Sequence, residues 1–211
     1  MRQAHGILLA LATFVIAHAA NADSPDTIGV RRLSVLAPER GVRLNVSVWY
    51  PAGAGGTAVT VGDNAVFQGT PARQDAPVAD GSFPLVLLSH GGLRSAPDSG
   101  AWIASRLAAQ GFVVAAPHPP RLEGASARDA PKELWLRPAD LSATLTAVAS
   151  DPTLRSRLDA EAIGALGFQL GGTAALALVG ARMDGRRYAR SCDRGGTAAD
   201  CAWWGHDTKV L

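Results

Sequence analysis

In this chain of 211 residues neither positive nor negative charge predominates, and aromatic residues are few. Its 20 Lys and Arg residues nearly balance 18 Asp and Glu residues, which leaves a formal net charge of +2. Because the two signs are interspersed, the composition argues against nucleic-acid binding, which needs a basic surface. Apolar residues make up 47% of the chain, enough for one hydrophobic core, and no internal repeat is present. The sequence therefore predicts a single domain.

Apolar runs long enough to cross a membrane are also lacking. The one candidate is at the N-terminus, where basic Arg2 precedes the apolar stretch 6–17 and Ala20-Asn21-Ala22 forms an A-x-A cleavage site. We predict that residues 1–22 are a signal peptide cleaved after Ala22. The protein would then be periplasmic or secreted, without a stable membrane span. A transmembrane anchor is the alternative interpretation of the same residues.

Cysteine is scarce, and both copies, Cys192 and Cys201, lie near the C-terminus. In an oxidising compartment we expect them to form one disulfide that closes a small loop, with two unpaired thiols as the alternative. No metal site is expected, because further ligands at suitable spacing are absent. Residues 182–211 are rich in Arg and Gly and predict an irregular tail. Its arginines could bind an anionic ligand, and its His206-Asp207 pair could serve as base and acid, but a solvated tail is favoured.

Apolar segments alternate along the chain between strand and helix character. The pattern predicts buried strands over 83–89, 112–116 and 162–166, and helices over 101–110 and from 137 to about 150. Such alternation is typical of a parallel sheet with crossover helices, that is, of an α/β fold. Upstream, Glu39-Arg40-Gly41 predicts a hairpin within 27–51, and the composition of residues 52–82 predicts a long loop with weak strand content.

The segment Gly167-Phe168-Gln169-Leu170-Gly171-Gly172 lies between a predicted strand and an Ala-rich helix. It has the frame of the G-x-S-x-G nucleophile elbow, with Gln169 in place of the serine. The glycines are needed because a strand that turns at once into a helix leaves no room for side chains there. A second strand runs directly into His90-Gly91-Gly92, where such a fold places backbone N–H groups that hold an oxyanion.

With these motifs, residues from about 46 to 201 resemble the α/β-hydrolase group called predicted dienelactone hydrolases. Relatives of that group have platelet-activating-factor acetylhydrolase-like and cutinase-like activity. The resemblance is carried by the elbow and by the segments 48–51, 83–91, 111–117 and 135–141. It implies a three-layer sandwich with a mostly parallel sheet, and an ester hydrolase scaffold with a Ser-His-Asp triad and no metal or cofactor.

The resemblance also assigns positions in the site. Gln169 occupies the nucleophile position and Leu170 would supply one oxyanion-hole N–H, while a residue near Gly91 or Gly92 would supply the other. We expect His90 to brace this loop and His118, in the sequence P-H-P-P, to be an exposed loop residue.

The sequence departs from the family pattern after the elbow. In these enzymes the acid and the base follow the nucleophile on later strands, yet only 42 residues follow Gln169 and none of their segments resembles a strand. We therefore expect residues 23–211 to form a partial domain, truncated after the elbow helix. The elbow strand would become a sheet edge, through which the chain would oligomerise or aggregate.

Three interpretations of function follow. The favoured one is a catalytically impaired or inactive member of the ester hydrolases, because Gln169 cannot be converted into an oxygen nucleophile. The second is an extracytoplasmic binding protein that uses the oxyanion pocket for an ester or carboxylate ligand. The third is an active hydrolase that is completed by a partner chain or uses another nucleophile. Ser89, Ser95 and Ser99 lie near the loop, although the adjacency of Ser89 and His90 is more simply incidental.

Overall fold

Seven strands and four helices make up the described part of the chain. The computed structural model describes residues 27–92, 96–120, 130–182 and 184–194, so the predicted signal peptide, Ser95, Cys201 and His206-Asp207 lie outside the described residues. The elements are β1 (Ile28–Ala37), β2 (Val42–Pro51), β3 (Thr57–Val61), β4 (Thr70–Gln74), β5 (Phe83–Ser89), α1 (Ala101–Ala109), β6 (Val113–His118), α2 (Ala130–Ser150), β7 (Leu158–Gly167), α3 (Leu170–Leu178) and α4 (Gly185–Asp193).

The strands form one sheet in the order β3-β4-β1-β2-β6-β5-β7. Three neighbouring pairs are parallel (β1 with β4, β5 with β6, β5 with β7) and three are antiparallel. The expectation of a mostly parallel sheet is therefore wrong, because β1 with β2, β2 with β6 and β3 with β4 pair in the antiparallel direction. The predicted hairpin is present: β1 and β2 pair from Ile28↔Pro51 to Ala37↔Val42 around a short 3-10 turn.

The long loop with weak strand content predicted over 52–82 contains two defined strands, β3 and β4. Both are short strands in which most residues are exposed or half-buried. Only Val61 of β3 and Ala72 of β4 are buried. A segment with one buried position shows little of the alternation by which a strand is recognised in sequence.

The helices cover both faces of the sheet. Along β6, Val113 and Ala115 belong to the core under α2 and α3, whereas Val114 and Ala116 belong to the core under α1. This alternation follows from the two-residue period of a strand, and it explains why β6 is buried at every position. The architecture is thus helix, sheet, helix.

Two helices differ from their predictions in detail. The buried face of α1 consists of small residues (Ala101, Ala104, Ser105 and Ala108), whereas Ile103 and Leu107 lie half-buried at its margin. Small side chains let the helix approach the sheet closely. Helix α2 begins at Ala130 rather than at Arg137 and contains Pro138 in its interior. Proline is favoured in the first turn of a helix, so Pro138 is consistent with a helix that begins at Arg137. In the structure the helix instead begins earlier and continues through Pro138.

Strand β7 is not the buried strand that its apolar sequence predicts. None of its ten residues is buried, and the side chain of Ile163 is 47% exposed. Among the described residues β7 pairs only with β5, so it ends the sheet order, as expected for the elbow strand. Oligomerisation through this edge stays a prediction.

The Arg-rich region after α3 is not wholly irregular, since residues 185–193 form α4. The arginines at 186, 187 and 190 are exposed. The part of the chain that the structure describes holds no disulfide, and because Cys201 lies outside it, the Cys192–Cys201 bridge stays a prediction.

The turn from β7 into α3 depends on glycine contacts. A Cβ atom added at Gly171 would overlap the backbone oxygen of Ser89 at the end of β5, and one added at Gly167 would overlap the backbone of Gly171. By contrast, a Cβ at Gly172 would meet only ordinary contacts, the nearest being 3.4 Å from the oxygen of Gly167. The strand-to-helix turn is therefore sterically specified at two positions.

Replacing Gly171 with alanine should destabilise the protein by about 3 kcal/mol or more, because backbone atoms of β5 and α3 would have to separate. The matched variant Gly172→Ala should change the free energy of unfolding by no more than about 1 kcal/mol, in the stabilising direction, since alanine favours the helix. Urea unfolding followed by circular dichroism measures both. Equal stability of the two variants would contradict the packing described.

Candidate functional site

The strand order brings two loops together at the carboxyl ends of the neighbouring strands β5 and β7. From β5 the chain crosses through α1 to β6 on one side, and it then returns through α2 to β7 on the other side of β5. At such a reversal the loops after adjacent parallel strands diverge and leave a crevice at their carboxyl ends. The loop 90–92 follows β5 and the elbow follows β7, so both predicted features lie at this crevice.

Gln169 occupies the apex of the elbow. Its backbone has φ +53° and ψ −125°, a conformation that residues with a side chain rarely adopt. Gln169 is also the N-cap residue of α3, but its side chain makes no capping hydrogen bond. Its Oε1 lies 3.5 Å from the position that a Cβ of Gly92 would take. The N–H of Leu170, the first residue of α3, has no acceptor within the helix. Gln169, Leu170 and Gly92 therefore lie together, and their assigned roles stay predictions.

The guanidinium of Arg137 holds the loop after β5. Its Nη1 donates to the carbonyl oxygens of His90 (3.2 Å) and Gly91 (2.8 Å), and its Nη2 donates to that of Gly92 (2.9 Å). Arg137 is only 4% exposed. Three successive carbonyls are thus directed at one buried cation, which fixes the backbone of the loop beside Gln169.

A buried ion-pair network supports this guanidinium. Arg137 Nε donates to Glu133 at 3.2 Å, Arg40 donates to both oxygens of Glu133 at 2.8 Å, and Arg40 Nε donates to both oxygens of Asp140 at 2.9 Å. Burial alone would raise the pKa of Glu133, but its bonds to Arg40 and the two guanidinium charges outweigh burial and hold that pKa below its usual value. The two cations and two carboxylates link the β1–β2 turn to the loop.

His90 is the first residue of this loop, and its bracing role stays a prediction. Its Nδ1 lies 2.7 Å from the hydroxyl of the exposed residue Ser99, while its buried Nε2 has no hydrogen-bond partner in the described ranges. Burial, and then the charge of Arg137, lower the pKa of His90. The hydroxyl of Ser89 lies instead against Gly171. The structure therefore pairs His90 with Ser99 rather than with Ser89.

The prediction that His118 is an exposed loop residue is wrong. It ends β6, is buried, and its Nε2 lies 2.6 Å from Ser47 Oγ and 3.5 Å from Asp98 Oδ1. Although Ser, His and Asp meet here, Asp98 N–H donates to His118 Nδ1 at 3.2 Å, so the ring carries its proton on Nε2. His118 in this tautomer cannot accept the proton of Ser47, and Ser47 is fully buried. The cluster is structural.

Asp98 is fixed by a cation on the neighbouring hairpin. Arg32 donates to both of its carboxylate oxygens, at 2.9 and 2.6 Å. Burial would raise the pKa of Asp98, but the bonds and charges of Arg32, His118 and Ser47 outweigh burial and lower it. Asp98 therefore stays ionised beside a neutral His118.

Two cavities of different size lie on the described part of the protein. A small polar cavity of about 10 Å³ lies between His90, Gly92, His118 and Arg137, which is room for one water molecule. A wider groove of about 760 Å³ lies along β3 and β4, away from the elbow. Within the described ranges, no group of three or more His, Cys, Asp or Glu side chains could hold a metal ion, and no helix has the length and apolarity to span a membrane.

Sequence reasoning missed the residues that organise this edge. The sequence marks Arg40 only as part of a turn, and it marks Arg137 and Asp140 only as members of the segment 135–141 that carries the family resemblance. That segment is the signal by which these two residues could have been found, because it resembles the family and places an arginine and a carboxylate on one helix. Asp98 and Arg32 gave no signal.

No protein-family model matches the chain, and no curated protein sequence matches it either. Among solved structures, the chain is similar to a ferulic acid esterase from Streptomyces cinnamoneus, with 25% identity and a TM-score of 0.56. The match covers 78% of this chain and 57% of that one. A bacterial heroin esterase matches with 18% identity and a TM-score of 0.49, over 82% of this chain and 42% of that chain. The chain thus spans less than two thirds of the length of either esterase.

The first of these similarities agrees with the sheet order and with the helices on both faces. The fold is α/β-hydrolase-like. The elbow after β7 and the loop after β5 therefore occupy the part of the fold in which such proteins carry their site.

Removing the guanidinium that holds the loop should destabilise the protein. We expect Arg137→Ala to cost about 3–5 kcal/mol, because Glu133 would lose one of its two buried cationic partners and three carbonyls would lose their donor. Arg187→Ala, which removes an exposed arginine paired with Asp184, is the control and should leave the urea midpoint unchanged. Equal midpoints for Arg137→Ala and the unaltered protein would rule out the positioning role.

Stability should also fall as the pH is lowered from about 6.5 to 4. Burial, opposed by the charge of Asp98 and aided by those of His90 and Arg32, lowers the pKa of His118 to about 4. The unfolded chain therefore binds a proton in this range that the folded protein does not, which costs about 3 kcal/mol. His118→Gln should have a shallower pH dependence in urea unfolding. A His118 ring signal that titrates near pH 6.5 in NMR spectra would contradict this.

Proposed function

We propose that the chain is an esterase-like α/β-hydrolase protein, related to the dienelactone hydrolases, whose elbow does not carry out acyl transfer. The observation that supports this proposal is Gln169 at the strained apex between β7 and α3. Acyl transfer at an elbow needs an oxygen that an adjacent base can deprotonate. A carboxamide has no such proton, so the scaffold keeps its shape without the attacking group.

The rest of a triad is also missing from the described residues that follow the elbow. Residues 170–182 and 184–194 contain Asp184 and Asp193 but no histidine. Both His90 and His118 lie earlier in the chain, and burial lowers the pKa of each, which makes them weak bases. The described residues therefore assemble no conventional acid–base pair at Gln169.

A binding role is the second candidate. It is favoured by the loop 90–92, which Arg137 holds in place independently of any nucleophile. An ordered loop next to the first N–H groups of α3 could accept the carbonyl of an ester or the oxygen of a carboxylate. Because residues 1–22 are predicted to be a signal peptide, we propose that the protein acts in the periplasm or outside the cell. Pairing through the β7 edge could supply a partner chain.

The proposal is tested with a fluorophosphonate probe and a chromogenic acetate ester. The purified protein should form no covalent adduct detectable by mass spectrometry and should hydrolyse the ester no faster than buffer, because Gln169 has no oxygen that a base could activate. Ser99→Ala is the control variant, since Ser99 is exposed and bonded to His90.

An adduct on the unaltered protein would overturn the proposal. Loss of that adduct in Ser99→Ala would identify Ser99 as an unexpected nucleophile. Its persistence in the variant would direct the search to the other serines. Activity that appears only with a second chain would support the partner-completed hydrolase instead.

A further inference from the structure

The small polar cavity beside the loop after β5 is lined by two buried residues with hydrogen-bonding capacity to spare. Its volume of about 10 Å³ matches one water molecule. Two of the lining residues, His90 and Arg137, are only 6% and 4% exposed. Polar groups buried this deeply are normally hydrogen-bonded, because a buried donor or acceptor without a partner is unfavourable. The bonds of these two residues therefore indicate what the cavity binds.

Arg137 supplies a hydrogen-bond donor. A guanidinium has five N–H donors and no acceptor. The described residues use four of them: the N–H of Nε bonds to Glu133, two N–H groups of Nη1 bond to the carbonyls of His90 and Gly91, and one N–H of Nη2 bonds to the carbonyl of Gly92. The fifth N–H is on Nη2. A ligand that bonds to it has to be an acceptor there, because the guanidinium can only donate.

His90 supplies a hydrogen-bond acceptor. Its Nδ1 lies 2.7 Å from the hydroxyl oxygen of Ser99, whereas its buried Nε2 pairs with no residue in the described ranges. The second histidine of the lining, His118, has both ring nitrogens engaged, one with Ser47 and one with the N–H of Asp98. Among the described side chains that line the cavity, Nε2 of His90 is therefore the group that can accept a hydrogen bond.

We propose that this cavity binds one water molecule, which accepts a hydrogen bond from Nη2 of Arg137 and donates one to Nε2 of His90. Burial, and then the charge of Arg137, lower the pKa of His90, so its ring is neutral at neutral pH and carries a single proton. Because Nε2 accepts, that proton is on Nδ1 and is donated to the hydroxyl oxygen of Ser99. In this tautomer His90 cannot take the proton of Ser99. The bound water thus prevents the pair from acting as nucleophile and base. The water site does not rest on the proposed function, since the side chain of Gln169 takes no part in it.

The tautomer of His90 is measured in the purified ¹⁵N-labelled protein at neutral pH. Long-range ¹H–¹⁵N correlation spectra separate ring nitrogens that carry a proton from those that do not. The Nδ1–H form of His90 should exceed the Nε2–H form by about tenfold, because the latter would remove the acceptor of the water. His118 is the internal control and should show the opposite tautomer, since its Nδ1 accepts from Asp98. The variants His118→Gln and Ser99→Ala assign the two rings, because the first removes one set of signals and the second shifts the other.

Ser99→Ala also separates the effect of the water from that of the hydroxyl. If the water fixes the ring, His90 should keep its Nδ1–H form in this variant. The ring C–H groups of His90 should also show a nuclear Overhauser effect with the sign of a long-lived bound water, which the absent hydroxyl cannot mimic. The ring of Trp135, which is 53% exposed, is the control and should show the sign of rapidly exchanging water.

Three results would overturn the water site: an Nε2–H form or an equal mixture at His90 in the unaltered protein, a change of tautomer in Ser99→Ala, or no long-lived water at His90. No ester is hydrolysed in these measurements. Their failure is therefore distinguishable from the appearance of hydrolytic activity, which would refute the proposed function instead.

Discussion

The guanidinium of Arg137 is the contact on which the geometry of the candidate site depends. It binds three successive carbonyls of the loop after β5, and that loop is the part of the crevice that faces Gln169. A lysine could not make all of these contacts, because Arg137 donates to three carbonyls and to Glu133, whereas an ammonium has only three N–H donors on one nitrogen. The orientation of the loop therefore follows from one buried side chain of α2.

Burying this cation would be costly without its partners. Desolvation disfavours the charged form of Arg137 and lowers its pKa, while Glu133 opposes that effect. Glu133 in turn is shared with Arg40, which lies in the turn between β1 and β2. The network thus joins the antiparallel part of the sheet to the crevice between parallel strands. Any change in the β1–β2 turn should be transmitted to the loop through Arg40 and Glu133.

The sequence predicts the parts of this fold that local sterics determine. The elbow, the β1–β2 hairpin and the fully buried strand β6 are recognisable because glycines, turn residues and apolar runs act over a few neighbouring positions. The ion pairs of Arg40 join residues about a hundred positions apart, and nothing local marks Arg40 as the partner of Asp140. The prediction that His118 is exposed fails for the same reason. The prolines beside His118 indicate a loop, whereas its burial depends on the distant residues Ser47 and Asp98.

Gln169 shows which constraints on an elbow are structural and which are chemical. A positive φ at a residue with a side chain costs on the order of 1–3 kcal/mol, and Gln169 makes no capping hydrogen bond to offset it. The turn nevertheless keeps this conformation because Gly167 and Gly171 pack against α3 and β5 without side chains. The apex residue can therefore change without loss of the turn. The sterics of this turn thus constrain its two glycines, whereas the chemistry of an elbow constrains only the residue at the apex.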